Sequence, residues 1–554
     1  MLPDNDFIAS QFLQLAKLMD IHGENPFKSK SYTSAAFAIE NYPEPLAALS
    51  HEKLFEIKGI GEAIAKKIID ILETGELPLL QKLLQTTPSG VVEMLLIKGI
   101  GPKKISVIWK EMEIETLGEL LYACNENRLT LYKGFGAKTQ QNVKEAIEFY
   151  FKNQDQYLYA QVEPYVAALQ EKLTAAFPQK KFALTGEMRR QLETIRLLEW
   201  VTTASAQECE AFIRDQGFSL SDTHHNQTTF QEAGSLPVVL YHTPEDAFYT
   251  TTVLQSSSRE FADALLQQPG WSKAVDALSE EDVFTRLSVP YLPPALRERP
   301  SDLCSVAPEL IEVSDIRGII HSHSDWSDGS NTIEEMALAC IAQKLEYLVI
   351  SDHSKSAFYA NGLQENRIEA QHLLVEKLNR KLAPFKIFKS IESDILNDGS
   401  LDYSKEILSS FDLVIASVHS NLKMIEERAM QRLLTAIENP YTTILGHMTG
   451  RLLLSRKGYP VDHKKIIDAC AANQVVIELN AHPRRLDMDW RWISYALEKG
   501  VLISIDPDAH VTGGFQDVRY GVLVAQKGGL TARHNLSSFT RTELEAYLKK
   551  RKPA

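Results

Sequence analysis

Gly318-Ile-Ile-His321-Ser-His323, Tyr347-Leu-Val-Ile-Ser-Asp352-His353 and Val501-Leu-Ile-Ser-Ile-Asp506-Pro-Asp508-Ala-His510 share one design, a short apolar run that ends in histidines or carboxylates. Four more runs fit it: Phe385 to Ile391 before Glu392, Leu413 to Val418 before His419, Thr443 to Leu445 before Gly446-His447, and Val475 to Leu479 before Asn480. Near-continuous apolar runs of this length read as buried parallel strands, and the segments between them, such as Thr332 to Lys344, are long enough for crossover helices. The repeat predicts a distorted (β/α)7 barrel. Such barrels carry their chemistry at the carboxyl ends of the strands, where these residues fall. Six of the fifteen histidines then converge on one mouth. A lone histidine at a strand end is usually just a satisfied polar residue, but a crowd of imidazoles and carboxylates is costly unless a cation organises it. The spacing therefore predicts a multinuclear metal site.

The chain has 554 residues, enough for several cores, and a formal charge of -14 that does not advertise nucleic-acid binding. Electrostatic footprints are local, so the total does not exclude it either. Five scattered cysteines, at 124, 209, 304, 340 and 470, suit a reducing compartment. The N-terminus reads as neither signal peptide nor anchor, and no apolar run approaches the ~18 residues of a membrane span, so a soluble cytoplasmic protein without a membrane partner is expected.

Ahead of the barrel, Leu54-Phe-Glu-Ile-Lys-Gly59-Ile-Gly61, Leu95-Leu-Ile-Lys-Gly99-Ile-Gly101 and Leu131-Tyr-Lys-Gly134-Phe-Gly136 repeat one lead-in before a lysine-bearing amphipathic helix. A Gly-apolar-Gly turn lets backbone approach a phosphate closely, and the helix N-terminus behind it aims N–H groups at the anion. This is the helix-hairpin-helix device, which grips DNA backbone without reading sequence. Gly59, Gly61, Gly99, Gly101, Gly134 and Gly136, with Lys103 and Lys104, are the expected DNA contacts. Residues 1–80 hold seven basic and twelve acidic residues (7 - 12 = -5), and residues 81–150 nine and eight (9 - 8 = +1). The second and third hairpins are thus the expected duplex grip.

Asn25-Pro-Phe27-Lys28-Ser-Lys30-Ser-Tyr32, then Gly59-Ile-Gly61-Glu-Ala-Ile-Ala-Lys66-Lys67-Ile68 and Thr74-Gly75, resemble the lyase domain of family X DNA polymerases. The resemblance implies that Lys67 forms a Schiff base at an abasic site, with Lys66 as the cationic neighbour favouring a neutral amine. Lys67 also reads as an exposed helix lysine, and the sequence leaves both readings open. Gly186-Glu187-Met-Arg189-Arg190-Gln-Leu-Glu193-Thr194-Ile-Arg196-Leu197-Leu-Glu199 resembles the family's palm motif. Its register puts Leu197 and Glu199 where two metal-binding aspartates belong, Glu187 at the triphosphate contact and Val238 at the third aspartate. Leucine and valine cannot hold the two cations of nucleotidyl transfer, so polymerase activity is expected to be lost. Pro293-Pro294-Ala-Leu-Arg297-Glu298 resembles the junction into the family's C-terminal domain.

The barrel resembles the polymerase and histidinol phosphatase (PHP) domain of bacterial family X polymerases, through His321-Ser-His323, Ser327-Asp328-Gly329, Asp352-His353-Ser354, Glu392, Ser417-Val-His419, Gly446-His447 and Asp508-Ala-His510. The resemblance implies up to three divalent ions: one on His321, His323, Glu392 and Asp508, a second on Glu392, His419 and His447, a third on Asp328, His353 and His510. Strand alternation also puts His321 with His323, and Asp508 with His510, on one face. Mixed imidazole and carboxylate ligands suit manganese, zinc or iron better than magnesium. Arg451 and Arg456 are candidate phosphate grips, and His482 is either a substrate contact or an idle surface residue. Glu392 and Asp508, with Lys67 for the lyase step, are the expected catalytic residues.

The sequence thus predicts a multidomain α+β and α/β chain. Its expected parts are a lyase-like domain with the first hairpin (1–80), a second helix-hairpin-helix domain (81–152), a degenerate palm (153–245), a thumb-like region and linker (246–310) and a PHP barrel (311–554). The expected function is metal-dependent 3'-5' exonuclease or 3'-end phosphoesterase action in DNA repair, on gapped or 3'-ended DNA without sequence preference. The alternatives are a small-molecule phosphatase of the histidinol-phosphate type and a non-catalytic DNA-binding scaffold.

Overall fold

In the computed structural model the chain divides into two units, Met1–Gln154 and Asp155–Ala554. The residues described are 3–57, 60–125, 128–152, 154–224, 226–232 and 235–551. The first unit is helical. Asp4 caps the opening helix Asn5–His22 by accepting from the Phe7 N–H, and Gly23, at φ +79°, supplies the left-handed residue that ends it. One apolar core runs through this unit from Ile8 and Phe12 to Val143 and Ile147, so residues 1–80 and 81–152 pack as a single body. No helix among the described residues is long and apolar enough to cross a membrane.

The second unit begins with a five-stranded sheet in the spatial order Phe182–Thr185, Leu198–Thr202, Pro237–His242, Gln227–Gln231, Ser219–His224. Leu198 pairs with Val238 and Glu199 with Val239 on parallel strands, so each pair shares a face. Val238 lies with Leu198 and Trp200 in the core, and Val239 stands beside Glu199. This corrects the expected placement of Val238 by one residue, a shift that reverses the face. Glu199 is half-buried; burial raises its carboxyl above the usual range, and Tyr241 Oη donates to it at 2.9 Å. Gly186, at φ +66°, packs on that carboxylate, and a Cβ there would lie 1.8 Å from Oε2. The two palm-motif arginines are tied inward. Arg189 pairs with Glu280, which also takes the fully buried Arg297; Arg190 pairs with Glu298, which also takes the buried Lys527 of the barrel. Residues 253–303 form their own apolar cluster around Phe261 and Phe284.

The barrel consists of β1 (Gly318–Ile319), β2 (Tyr347–Ile350), β3 (Lys386–Asp394), β4 (Leu413–Ser417), β5 (Ile444–Leu445), β6 (Val476–Asn480) and β7 (Ile503–Asp506). All neighbours pair in parallel and in chain order, as the repeat predicts. A bridge between Ser322 and Ala509, just past β1 and β7, brings the two ends together. Alternation sorts each strand: Leu348, Ile350, Val414 and Ala416 face the helices, whereas Tyr347, Val349, Phe388, Leu413, Ile415, Ile444 and Val476 fill the interior. At the amino ends of the strands the chain's own C-terminal segment, through Leu536, Leu544 and Leu548, joins that interior cluster. Two residues further along each strand the inward positions turn polar, as in Ser390, Glu392 and Asp394 on β3 and Glu478 and Asn480 on β6. The floor is therefore oily and the mouth ionisable.

Candidate metal centre

Glu392, near the carboxyl end of β3, is the hub of the mouth. Its Oε1 lies 3.2 Å from His321 Nε2, 3.1 Å from His419 Nε2 and 3.0 Å from His447 Nε2. Its Oε2 lies 3.0 Å from His353 Nδ1 and 3.7 Å from His323 Nε2. Asp508 Oδ1 sits 3.1 Å from His323 Nε2 and 3.5 Å from His321 Nε2. Asp328 Oδ2 is 3.5 Å from both His353 Nε2 and His510 Nε2. All nine residues singled out from the sequence thus meet at one place, in three overlapping groups. Two histidines reach beyond their expected groups: His353 turns one ring nitrogen to Glu392 and the other to Asp328, and His323 lies near Asp328, His353 and His510 as well as His321 and Asp508.

The donor set fits divalent cations. His321 Nε2, His323 Nδ1 and Glu392 Oε2 are buried and, although polar atoms lie close, make no well-aligned hydrogen bond, an arrangement that costs free energy unless something binds there. Three subsets have ligand atoms within 4.8 Å of one another: His323-Asp328-His353-His510, His321-His323-Asp508 and His353-Glu392-His419. The electrostatics agree. Burial opposes ionisation of Glu392, but the imidazoles of His419, His321 and His353 outweigh it and hold the carboxyl well below the usual range. Burial also works against charge on His353 and His419, yet Glu392 pushes them up to about 10 and about 9. His323, buried and next to His353, falls to about 3. Ionised carboxylates surrounded by imidazoles form a ready cation cage for manganese, zinc or iron.

The expected route to this geometry was strand alternation, and there the structure differs. β1 ends at Ile319 and β7 at Asp506, while His321 and Asp508 take left-handed backbone at φ +59° and +52°. Such conformations cost ~1–3 kcal/mol each for a non-glycine residue and concentrate at functional sites. A kink, rather than a pleat, turns these side chains inward.

Two carboxylates escaped the sequence reading. Glu478 Oε2 lies 2.5 Å from His321 Nδ1, and its Oε1 accepts from the His447 N–H at 3.1 Å. Asp394 Oδ1 lies 2.6 Å from His419 Nδ1. Outer carboxylates of this kind fix ring orientation and raise ligand basicity. Their signal was present: Asp394 stands two residues after Glu392, and Glu478 two before Asn480, each on the inward face. Asp352 holds the segment between His323 and Asp328 in place, accepting from the Ser324 N–H and Oγ, the Ser327 hydroxyl and Gln371.

Arg451 does not serve as a phosphate grip. Its guanidinium is spent on Glu193, on Asp489 at 3.2 Å and on the carbonyls of Arg485 and Leu486. Arg485, unnoticed in the sequence, instead reaches within 3.6 Å of Asp508 Oδ2, and the charge of Arg456 is close enough to feel it. Arg456 Nε donates to the Gly450 carbonyl at 3.0 Å. His482 accepts from the Arg484 N–H at 3.2 Å and braces its own loop.

In the N-terminal unit, Gly99 and Gly134 adopt φ +97° and +93°, as the turn requires. Gly101 is different. It is the N-cap of Pro102–Lys110, at φ -101°, with no heavy atom within 4 Å of where a Cβ would stand, so its backbone is open to close approach from outside. Ile100 and Phe135 plug the core, Lys103 and Lys104 occupy the first turn of Pro102–Lys110, and Gly136 and Gly61 likewise face open space. Gly59 lies outside the described residues. Lys67 is half-exposed on Glu62–Thr74, its Nζ 3.4 Å from the Ala63 carbonyl and 6.0 Å from the Tyr32 ring. Lys66, expected as its cationic neighbour, is paired with Glu62 at 2.7 Å, which offsets the charge it was to supply.

Comparison with known proteins agrees with this division. Residues 3–77 match a helix-hairpin-helix domain, 91–148 a SAM-like helix-hairpin-helix tandem, and 320–482 a PHP domain. The DNA polymerase/3'-5' exonuclease PolX of Bacillus subtilis (strain 168) is 29% identical over 97% of this chain and 98% of its own length. A probable phosphatase of Thermoanaerobacter sp. (strain X514) is 27% identical over 42% of this chain and 94% of its own. The probable phosphatase YcdX of Escherichia coli O81 (strain ED1a) is 28% identical over 22% of this chain and 52% of its own length. With helix-hairpin-helix modules in front and a PHP domain behind, the chain is similar over nearly its whole length to a family X DNA polymerase that carries a C-terminal PHP domain.

Proposed function

We propose that the barrel is a metal-dependent phosphoesterase that trims DNA 3' ends as a 3'-5' exonuclease or end-cleaning enzyme, and that the palm-like sheet no longer polymerises. The observation that carries the first part is the convergence of nine ligand-type residues on one mouth, five histidines among them lying against Glu392. His321, His323, Glu392 and Asp508 would hold one ion, Glu392, His419 and His447 a second, and Asp328, His353 and His510 a third. Bound ions would supply an acidified water as nucleophile and stabilise the leaving oxygen. Glu478 and Asp394 keep His321 and His419 oriented, and Arg485 and Arg456 offer cationic charge to the phosphate on the Asp508 side.

The second part rests on the palm. Leu197 and Val239 stand where carboxylates would be needed around Glu199, and Arg189 and Arg190 are held by Glu280 and Glu298. Among the described residues no cluster of three ligand-type side chains gathers there to hold two cations between a primer hydroxyl and a triphosphate. The open-faced glycines of the second and third hairpins support backbone binding to DNA by the N-terminal unit. A small-molecule phosphatase is the second reading, supported by the Thermoanaerobacter probable phosphatase, which matches 42% of this chain over 94% of its own length. Incubating the purified chain with end-labelled gapped DNA, with and without dNTPs and with manganese, zinc or magnesium, tests both. The expected result is shortening of the 3' end that needs manganese or zinc and ignores dNTPs.

A further inference from the structure

The loops that follow β3 and β4 border a cleft of about 340 Å3. Lys423, Arg428, Asn397 and Asn421 line it, with the guanidinium of Arg432 at its base. The cleft neighbours the metal centre along the chain, because Asn421 stands two residues past His419. Its charge is of one sign. No carboxylate among the described residues lines it: Glu426 and Glu427, in the first turn of Glu426–Ile437, are not part of its wall, and Asp398 spends Oδ1 on the Ser400 N–H and hydroxyl at 3.0 and 2.7 Å. A chain with 73 acids to 59 bases would more readily have placed an acid there.

Arg432 gives the cleft an unneutralised base. Only 1% exposed, it donates to the carbonyls of Leu396 and Ser420, each at 3.0 Å, and to that of Ile395, and it reaches Met424 Sδ at 3.5 Å. Every one of these partners is neutral, and a buried charge that meets only neutral acceptors leaves its field to be answered from outside. Burial lowers the Arg432 guanidinium from its usual value, and the nearby charge of Arg428 lowers it further, against the pull of Tyr459 and Asp394. Lys423 and Arg428 form no ion pair among the described residues; Arg428 donates to Gln431 Oε1 at 2.6 Å. Asn421, in left-handed backbone at φ +53°, donates from Nδ2 to Asn397 Oδ1 at 2.8 Å, which leaves the Asn397 amino group as a further donor. Met424 and Ile425, the latter 69% exposed, add an apolar side. Cations, an amide donor and an apolar wall suit alternating phosphate and sugar better than a bare anion.

Resting on the phosphoesterase reading above, we propose that this cleft binds a sugar-phosphate of the DNA strand whose 3' end lies on the metal centre, with Lys423 and Arg428 on the phosphate. A phosphate contact carries no sequence information, so the cleft positions any strand alike.

The test uses the full chain, the double variant Lys423→Gln/Arg428→Gln, and gapped duplexes in which one phosphate near the 3' end, other than the scissile one, is a neutral methylphosphonate. Both chains should cleave bis-p-nitrophenyl phosphate equally. On DNA the double variant should lose about tenfold in kcat/KM, and the slope of log rate against log salt should flatten by about one unit. One methylphosphonate position that slows the wild type should leave the variant unaffected, and Lys423→Arg should behave as the wild type. Equal DNA rates, salt slopes and methylphosphonate profiles in the wild type and the double variant overturn the cleft assignment alone. Weaker inhibition by inorganic phosphate in the variant, with unchanged DNA cleavage, shows a free-phosphate site and overturns the DNA assignment. A wild type that hydrolyses bis-p-nitrophenyl phosphate but leaves DNA ends intact overturns the DNA-end reading and this proposal with it.

Discussion

Glu193 of the palm-like region and Arg451 of the barrel form an ion pair across the boundary between the two, each side chain little more than a tenth exposed. Asp489 completes the pair from the barrel side at 3.2 Å. Arg451 lies four residues past His447, in a loop that Asp487 also holds by accepting from the Thr449 N–H and hydroxyl at 3.0 and 2.9 Å. A residue from the palm motif thereby props the wall of the metal centre.

Removing one partner of such a pair strands a desolvated charge, at a cost of ~3–5 kcal/mol. Glu193→Ala and Arg451→Met should each lower the thermal unfolding midpoint of the chain, and the double variant should lose clearly less than the sum. Strictly additive shifts would show that the pair contributes nothing.

Glu392→Gln should abolish hydrolysis of bis-p-nitrophenyl phosphate and lower the metal bound per chain while leaving the fold intact, because an amide is a poor ligand at a position shared by several groups. Asp394→Asn, which touches only the outer face of His419, should weaken metal binding about 10–100-fold without abolishing activity at saturating manganese. Metal content by elemental analysis and rates across a manganese titration read both. Near-normal activity and metal content in Glu392→Gln would falsify its central role.

No dNTP incorporation into a gapped primer is expected with magnesium or manganese, given Leu197 and Val239 beside Glu199. Template-directed extension by the purified chain would mean that carboxylates elsewhere bind the ions.

Residues 155–554 form a unit with their own cores, so a chain starting there should fold and still cleave bis-p-nitrophenyl phosphate. Its activity on gapped duplex should fall at least about tenfold, ~1.4 kcal/mol of transition-state binding. Added salt should depress DNA cleavage by the intact chain steeply and small-substrate cleavage little. Equal DNA cleavage by both chains at every salt concentration would favour the small-molecule phosphatase.

The strand ends announced the site because apolar runs and ligand residues are local signals: eight of the nine residues of the mouth could be named from the run before them, and Asp328 from the resemblance of Ser327-Asp328-Gly329. What stayed hidden depended on partners far along the chain. Arg451 looks like a free cation in its loop, and only the fold brings Glu193, 258 positions away, against it. Val238 and Val239 are both apolar, so nothing local chose the face; the pairing with Leu198 did. Glu478 and Asp394 follow the inward alternation of β6 and β3, yet a carboxylate without a histidine beside it in sequence gives no local hint of the ring it orients.

The plug of Leu536, Leu544 and Leu548 against Phe388 and Ile444 makes the barrel a blind cup with a single opening. If the barrel trims DNA as proposed, whatever is cut off must leave past the strand that is to be cut next. Departure of the freed piece and arrival of the new end would then compete for one doorway, so each turnover would call for a retreat of the DNA, and the freed nucleotide is expected to inhibit the following cycle.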